Sequence, residues 1–313
     1  NSALEEWFSK PLPQRKPLVL RGARQVGKSY LVRDFCKRRG IPCHEINFEK
    51  EPSLRSLFIE GGNERTLVLL EAHFKRKLES GLLFLDEIQA APQVFARLRY
   101  FFEESPHLPV IAAGSLLEFA LEDLEFSMPV GRIEYMHLAP LSFEEFLHAQ
   151  DETALVNILE TWTPQEKTDA LTAFHERLLN HARDYSLVGG MPEAVNRFLP
   201  HRDFMGASEA QLAILDTYAQ DFAKYRKRIP QERLERVFRA APANVGKKWV
   251  HARISPGEKA QAVEAALHAL CKAQVLHRVF HTSANGLPLA AERKEQIYKV
   301  LFLDVGLVGM QLG

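Results

Sequence analysis

The chain has 313 residues, 46% of them hydrophobic, and its 40 Lys and Arg balance 40 Asp and Glu. That length holds two domains or three, and the composition is that of an ordinary soluble protein. No apolar run approaches the length of a membrane span, and no charged-then-apolar start suggests a signal peptide, so no membrane partner is expected.

Leu4, Trp7 and Phe8 have helical spacing and predict a short packed helix within residues 1–10. Residues 17–21 form an apolar strand candidate, and Tyr30-Leu31-Val32-Arg33-Asp34-Phe35 continues with helical spacing in a helix expected over 28–39. Between them runs Gly22-Ala23-Arg24-Gln25-Val26-Gly27-Lys28-Ser29, which fits G-x-x-x-x-G-K-[ST]. Strand, glycine-containing loop and helix are the context in which that pattern cradles phosphate. The glycines admit backbone angles that other residues resist, and the following helix start adds a positive dipole end. Lys28 is expected to reach the outer phosphates and the Ser29 hydroxyl to ligate magnesium. Gly22, Ala23, Arg24, Gln25, Val26, Gly27, Lys28, Ser29 and Tyr30 are therefore the candidate nucleotide-binding residues. A helix start that binds nothing is the plain alternative.

Further strands are expected at 43–48, 82–86, 108–114 and 133–138, with helices near 63–79 and 93–104. Such alternation predicts a parallel sheet covered on both faces, with ligands at the carboxyl ends of the strands. Gly81-Leu82-Leu83-Phe84-Leu85-Asp86-Glu87-Ile88 is an apolar strand ending in two acids. Asp86 is the expected magnesium residue, and Glu87 the group that orients or deprotonates an attacking water. Ser115 follows Pro109-Val110-Ile111-Ala112-Ala113-Gly114 and is expected to bond the γ-phosphate or the water. It would serve equally as the N-cap of a helix beginning at Leu116. Arg132, in Gly131-Arg132-Ile133, is a candidate to stabilise phosphate charge, in its own site or a neighbour's.

From about residue 141 the strands give way to helices, expected at 143–150, 152–161, 165–182 and 208–226, which read as a helical lid. Leu187-Val188-Gly189-Gly190-Met191-Pro192-Glu193 interrupts them, with Pro192 suited to open the next helix. Beyond Lys227, helices at 231–240 and 257–275 precede strands at 275–280 and 298–303, an order that suggests a winged-helix unit with its wing at 281–296. The expected boundaries are thus 1–140, 141–226 and 227–313. Between Lys224 and Arg253 there are ten Lys or Arg against two acids, which suggests an anionic partner such as double-stranded DNA, or else a solvated helix face. Cys36, Cys43 and Cys271 lack C-x-x-C spacing and read as reduced thiols of a cytoplasmic protein. The missing initiator Met and the end at Gly313 after an apolar stretch suggest that this is part of a longer chain.

Four segments carry a family resemblance. They are Arg21 to Ser29, Phe84-Leu85-Asp86-Glu87-Ile88-Gln89, Ala113-Gly114-Ser115, and Gly131-Arg132 with Leu141-Ser142-Phe143-Glu144-Glu145-Phe146. Together they resemble the predicted AAA+ ATPases of bacteria and archaea, relatives of the archaeal-type ATPases among the signal-transducing P-loop ATPases. Gly189 to Glu193 and Phe302-Leu303-Asp304-Val305-Gly306-Leu307 resemble the region of unknown function that follows in that family. The resemblance implies an α/β P-loop fold and an ATP-driven, magnesium-dependent switch with a winged helix after the lid. It also implies that Gly190 and Pro192 approach the nucleotide. Two other readings stay open: a DNA-binding regulator that uses ATP as a slow switch, and a small-molecule kinase.

Overall fold

In the computed structural model, residues 2–59, 61–115, 117, 131–163, 169–222 and 229–313 are described, residues 169–173 by their backbone only. Two units divide at Leu138/Ala139. The expected boundary at 226/227 falls among residues 223–228, outside the described residues, as do the helix start expected at Leu116 and the start of the 165–182 helix.

The first unit is a five-stranded parallel sheet built from β1 (Leu18–Arg21), β2 (Cys43–Asn47), β3 (Leu82–Asp86), β4 (Val110–Ala113) and β5 (Glu134–His137). Its order is β2-β3-β4-β1-β5. β1, β3 and β4 are interior strands and read as continuous apolar runs because both of their faces are covered. Alternate residues go to opposite faces. Leu18, Leu20, Leu82, Phe84, Ile111 and Ala113 pack with Val32 and Phe35 of α2 (Lys28–Arg39) and with Leu4 and Trp7 of α1 (Ser2–Phe8). Val19, Leu83, Leu85, Val110 and Ala112 pack on the other side against Val94, Phe95, Leu98 and Phe101 of α5 (Pro92–Glu104). Each Val, Leu, Ile or Phe among them contributes about 1.5–3 kcal/mol by burial. Two smaller helices complete that side, α3 (Ser56–Ile59) and α4 (Asn63–Phe74). The helix expected over 63–79 ends early, because Lys75 takes a left-handed conformation at φ 53°.

The register fixes what meets at the carboxyl edge. Asn47 stands beside Asp86, Leu20 beside Ala113, and Arg21 beside His137. Because β4 lies between β1 and β3, the turn after β4 sits between the Gly22 loop and the Asp86-Glu87 pair.

The second unit begins with α6 (Phe143–His148), closed by a capping box between Ser142 and Glu145. It continues through α7 (Thr153–Thr161), α8 (Asp169–Val188), α9 (Pro192–Phe198) and α10 (Phe204–Asp221). Then come α11 (Gln231–Ala240), α12 (His251–Ile254), α13 (Ala260–Lys272), a β6 (Leu276–Thr282) and β7 (Arg293–Phe302) hairpin, and α14 (Val305–Leu312). Both hairpin strands are longer than expected, and a bulge at Phe280/His281 lets them pair past Tyr298. Glu264 of α13 ties the hairpin to the helices: it accepts from the Tyr298 hydroxyl at 2.9 Å and from Arg278, and meets His251 at 2.9 Å.

The interruption at Gly189-Gly190 is explained by the other end of the unit. Gly190 N–H donates to buried Asp304 at 2.6 Å, and Asp304 also caps α14 by accepting from Leu307 N–H at 3.1 Å. Gly190 exchanges a second bond, accepting from Leu141 N–H at 2.8 Å, so closely that a Cβ there would lie 2.0 Å from the Leu141 oxygen. Replacing Asp304 by Ala removes a cap and orphans a buried amide. The expected loss is about 2–3 kcal/mol, seen as a lower melting temperature, with Asp304→Asn milder because it keeps an acceptor. An unchanged melting temperature in Asp304→Ala would contradict this role.

The basic run from Lys224 to Arg253 is less exposed as charge than its composition suggests. Lys224 to Arg228 lie outside the described residues. Arg233 and Arg236 both pair with Glu258, which lies beyond the run, and Arg239 pairs with Glu235.

Candidate functional site

The site grows from the end of β1. Gly22 is held at φ 153°, and a Cβ there would lie 2.3 Å from the Leu138 oxygen, so only glycine lets the chain turn at this point. Gln25 at φ 63° and Gly27 at φ 93° continue the reversal, and Gly27 is the N-cap of α2. Ala23 and Val26 are buried and anchor the loop from beneath. The first amides of α2 have no partner within the helix, and they add its positive dipole end at the loop. Lys28, 9% exposed, folds its ammonium back onto the loop and donates to the Gly22 and Ala23 carbonyls at 2.9 and 2.8 Å. Tyr30 points outward, 73% exposed.

Ser29 and Asp86 meet directly. The Ser29 hydroxyl lies 3.0 and 2.9 Å from the two carboxylate oxygens of Asp86. Asp86 also accepts from Asn47 Nδ2 at 3.1 Å and from Glu87 N–H at 3.1 Å. Burial pushes its carboxyl above the usual range, with the Glu87 charge adding to the rise and the Ser29 hydroxyl opposing it. The Ser29 hydroxyl and the Asp86 carboxylate, meeting at the carboxyl edge, are hard oxygen donors of the kind that hold Mg2+ through one or two protein ligands, the rest coming from water and phosphate. Among the described residues no cluster of three His, Cys, Asp or Glu competes for that role. The donor set and the glycine-only turn both fit a magnesium–triphosphate group.

Glu87 follows at φ 51°, a left-handed conformation uncommon outside glycine, which turns the chain sharply off the strand. Ser115 is 2% exposed, and its hydroxyl finds no hydrogen-bond partner among the described residues. A buried hydroxyl left that way is a group for which a ligand is one account.

Arg132 is not brought to this edge. It precedes β5, and its Nε donates to Glu103 at 2.8 Å near the end of α5. Both flank the amino-terminal edge of the sheet, and the four residues of β5 separate that edge from the loop by about 13 Å. Gly190 and Pro192 belong to the second unit, where Gly190 is engaged by Asp304 and Leu141 and Pro192 opens α9.

Asn47 escaped the sequence reading. Its one signal is position, a polar residue at the carboxyl end of a parallel strand. The structure gives it work on both sides: its amide nitrogen bonds Asp86, while its oxygen accepts from Glu49 and Lys50 N–H at 3.1 Å each. Gln89, quoted only as part of a motif, was given no role in the sequence reading, although it donates to the Glu87 carboxylate.

Comparison with known proteins agrees with this geometry. Residues 14–147 match the family model described as an AAA domain, and residues 179–313 match a domain of unknown function. No curated protein matches the sequence. Among solved structures, the Walker-type ATPase Paby2304 of Pyrococcus abyssi aligns over 100% of this chain and 94% of its own, at 18% identity and a TM-score of 0.55. The ORC2 protein of Aeropyrum pernix, solved in ADPNP–ADP complexes, aligns over 99% and 91%, at 13% identity and a TM-score of 0.50. At those identities the likeness establishes the fold.

Proposed function

With residues 14–147 an AAA domain, we propose that this chain binds ATP with Mg2+ at the Gly22–Ser29 loop and hydrolyses it. The observation that carries the reading is the direct meeting of Ser29 with both oxygens of Asp86. It joins the loop that suits phosphates to the acid that suits their metal. Bound magnesium would neutralise phosphate charge and polarise the γ-phosphorus for attack. Lys28 leaves the Gly22 and Ala23 carbonyls for the outer phosphates. Glu87 takes a proton from a water as its oxygen bonds to the γ-phosphorus, the bond to the β-phosphate oxygen breaks, and ADP and inorganic phosphate leave. Ser115 donates its hydroxyl toward the γ-phosphate. Arg132, at the far edge of the sheet, serves a neighbouring subunit's nucleotide if it serves any.

The switch extends to the second unit, whose α11, α12, α13 and β6–β7 hairpin follow the order of a winged helix. The free cysteines suit a reducing cytoplasm. Release of inorganic phosphate from Mg-ATP without any added acceptor tests hydrolysis. Phosphate release identifies an ATPase; strict dependence on an added hydroxyl compound would identify a kinase instead.

One observation favours DNA as a partner. Lys248 pairs with Lys299 across an isolated antiparallel bridge, and both side chains are exposed. Like charges directly opposite cost stability, which an anion would offset. Binding to duplex DNA that falls steeply with salt, and weakens in Lys248→Ala/Lys299→Ala, supports that reading; no binding at low salt contradicts it.

A further inference from the structure

We propose that Gln89 is the positioning residue of Glu87 and couples it to the turn at Gly114–Ser115. The inference rests on the hydrolytic reading of Glu87 given above. Three observations in the first unit carry it. The Gln89 amide nitrogen donates to the Glu87 carboxylate. The opposite end of the same amide, Oε1, is buried and without a partner among the described residues. That oxygen is pressed against Gly114 so closely that a Cβ there would lie 2.5 Å away.

The backbone explains why one amide can span both places. Glu87 turns off β3 in its left-handed conformation and starts a tight turn over Ile88–Ala90. Ile88 is fully buried and pins that turn, its Cγ2 standing 3.3 Å from the same imagined Cβ. Gln89 therefore leaves a fixed backbone, with its carboxamide lodged between the base and the turn that carries Ser115. A catalytic base works when a third group orients it, and the Gln89 N–H donor supplies that to the Glu87 carboxylate. Ser115 presents a buried hydroxyl, and Gln89 a buried acceptor, each without a hydrogen-bond partner among the described residues. These are complementary groups, one on the residue after Gly114 and the other packed against Gly114. A γ-phosphate that draws the Ser115 hydroxyl shifts the surroundings of the Gln89 oxygen, and through the rigid amide the direction of Glu87. Gly114 is then required as the residue that leaves room for the amide.

Gln89→Met and Gln89→Glu keep the side-chain length and test this. Expected for both is a kcat lowered about tenfold with KM and Mg-ATP affinity within twofold of the unaltered chain, Gln89→Glu losing more because it sets a like charge beside Glu87. Gly114→Ala, which displaces the amide without touching its chemistry, is expected to give the same kcat loss. In single-turnover assays on a Glu87→Gln background, Gln89→Met should have no further effect, since there is no base left to aim. An unchanged or raised kcat, a matching loss of nucleotide affinity, or the same tenfold loss on the Glu87→Gln background overturns the proposal. Were Glu87→Gln itself to hydrolyse normally, the hydrolytic reading would fail first. If that variant is inactive while both Gln89 variants are normal, this inference alone fails.

Discussion

Lys28→Ala is expected to weaken ATP binding by about a hundredfold or more, close to 3 kcal/mol, the range lost when a charge-assisted contact in a closed loop is removed. The size of the effect follows from burial. Lys28 is 9% exposed and lies within the reversal that Gly22 opens, with its ammonium held at 2.9 and 2.8 Å by two carbonyls of the loop. In the absence of nucleotide the variant should melt close to the unaltered chain, since the contacts to the Gly22 and Ala23 carbonyls lie within one turn. A fluorescent ATP analogue measured against both proteins checks this, and equal affinities would remove Lys28 from the site.

Glu87→Gln is expected to leave ATP affinity within about threefold while turnover falls by 10² to 10⁴, the usual yield of a positioned general base. Gln has the same shape and the same tolerance of the φ 51° backbone, so the turn into the Ile88–Ala90 helix survives. What it lacks is the capacity to take a proton. Phosphate release at saturating Mg-ATP, with binding measured in parallel, separates the two effects. Turnover near that of the unaltered chain would mean that water is activated by another group. A parallel loss of affinity would mean that Glu87 holds the metal rather than the water.

Both variants lie in the part of the molecule that sequence made most legible. β1, β3 and β4 are covered on both faces, so their apolar runs stand out, and the acids and glycines that end them fall at one edge because every pairing in the sheet is parallel. Their spatial order was not legible. That β4 inserts between β1 and β3, placing Gly114 beside Gln89, depends on crossovers that leave no local mark. Asn47 was hidden for a related reason: Cys43–Asn47 is a half-buried strand whose last residue matters through its neighbour Asp86 and not through a motif. The position of Arg132 at the opposite edge follows once it precedes a parallel strand, and pairing with Glu103 makes it visible.

The second unit was legible as helices and less so as contacts. α14 went unseen because Val305-Gly306-Leu307-Val308-Gly309 has poor helical propensity. The Asp304 cap and the packing of Leu307 decide it instead. Counting charges along the basic run leaves out Glu258, which folds back onto Arg233 and Arg236. Lys248 and Lys299 are far apart in sequence, and only the bridge between them shows where positive charge is set against positive charge.

On this reading the Gly22–Ser29 loop and Asp86 together hold a magnesium-bound triphosphate. Calorimetric titration of the chain with ATP, with and without Mg2+, and repeated on Asp86→Asn, tests it directly. The expected result is saturable binding strengthened by Mg2+ in the unaltered chain, with the Mg2+ dependence lost in Asp86→Asn. No binding of ATP under either condition, or a Mg2+ effect that survives in Asp86→Asn, would contradict it.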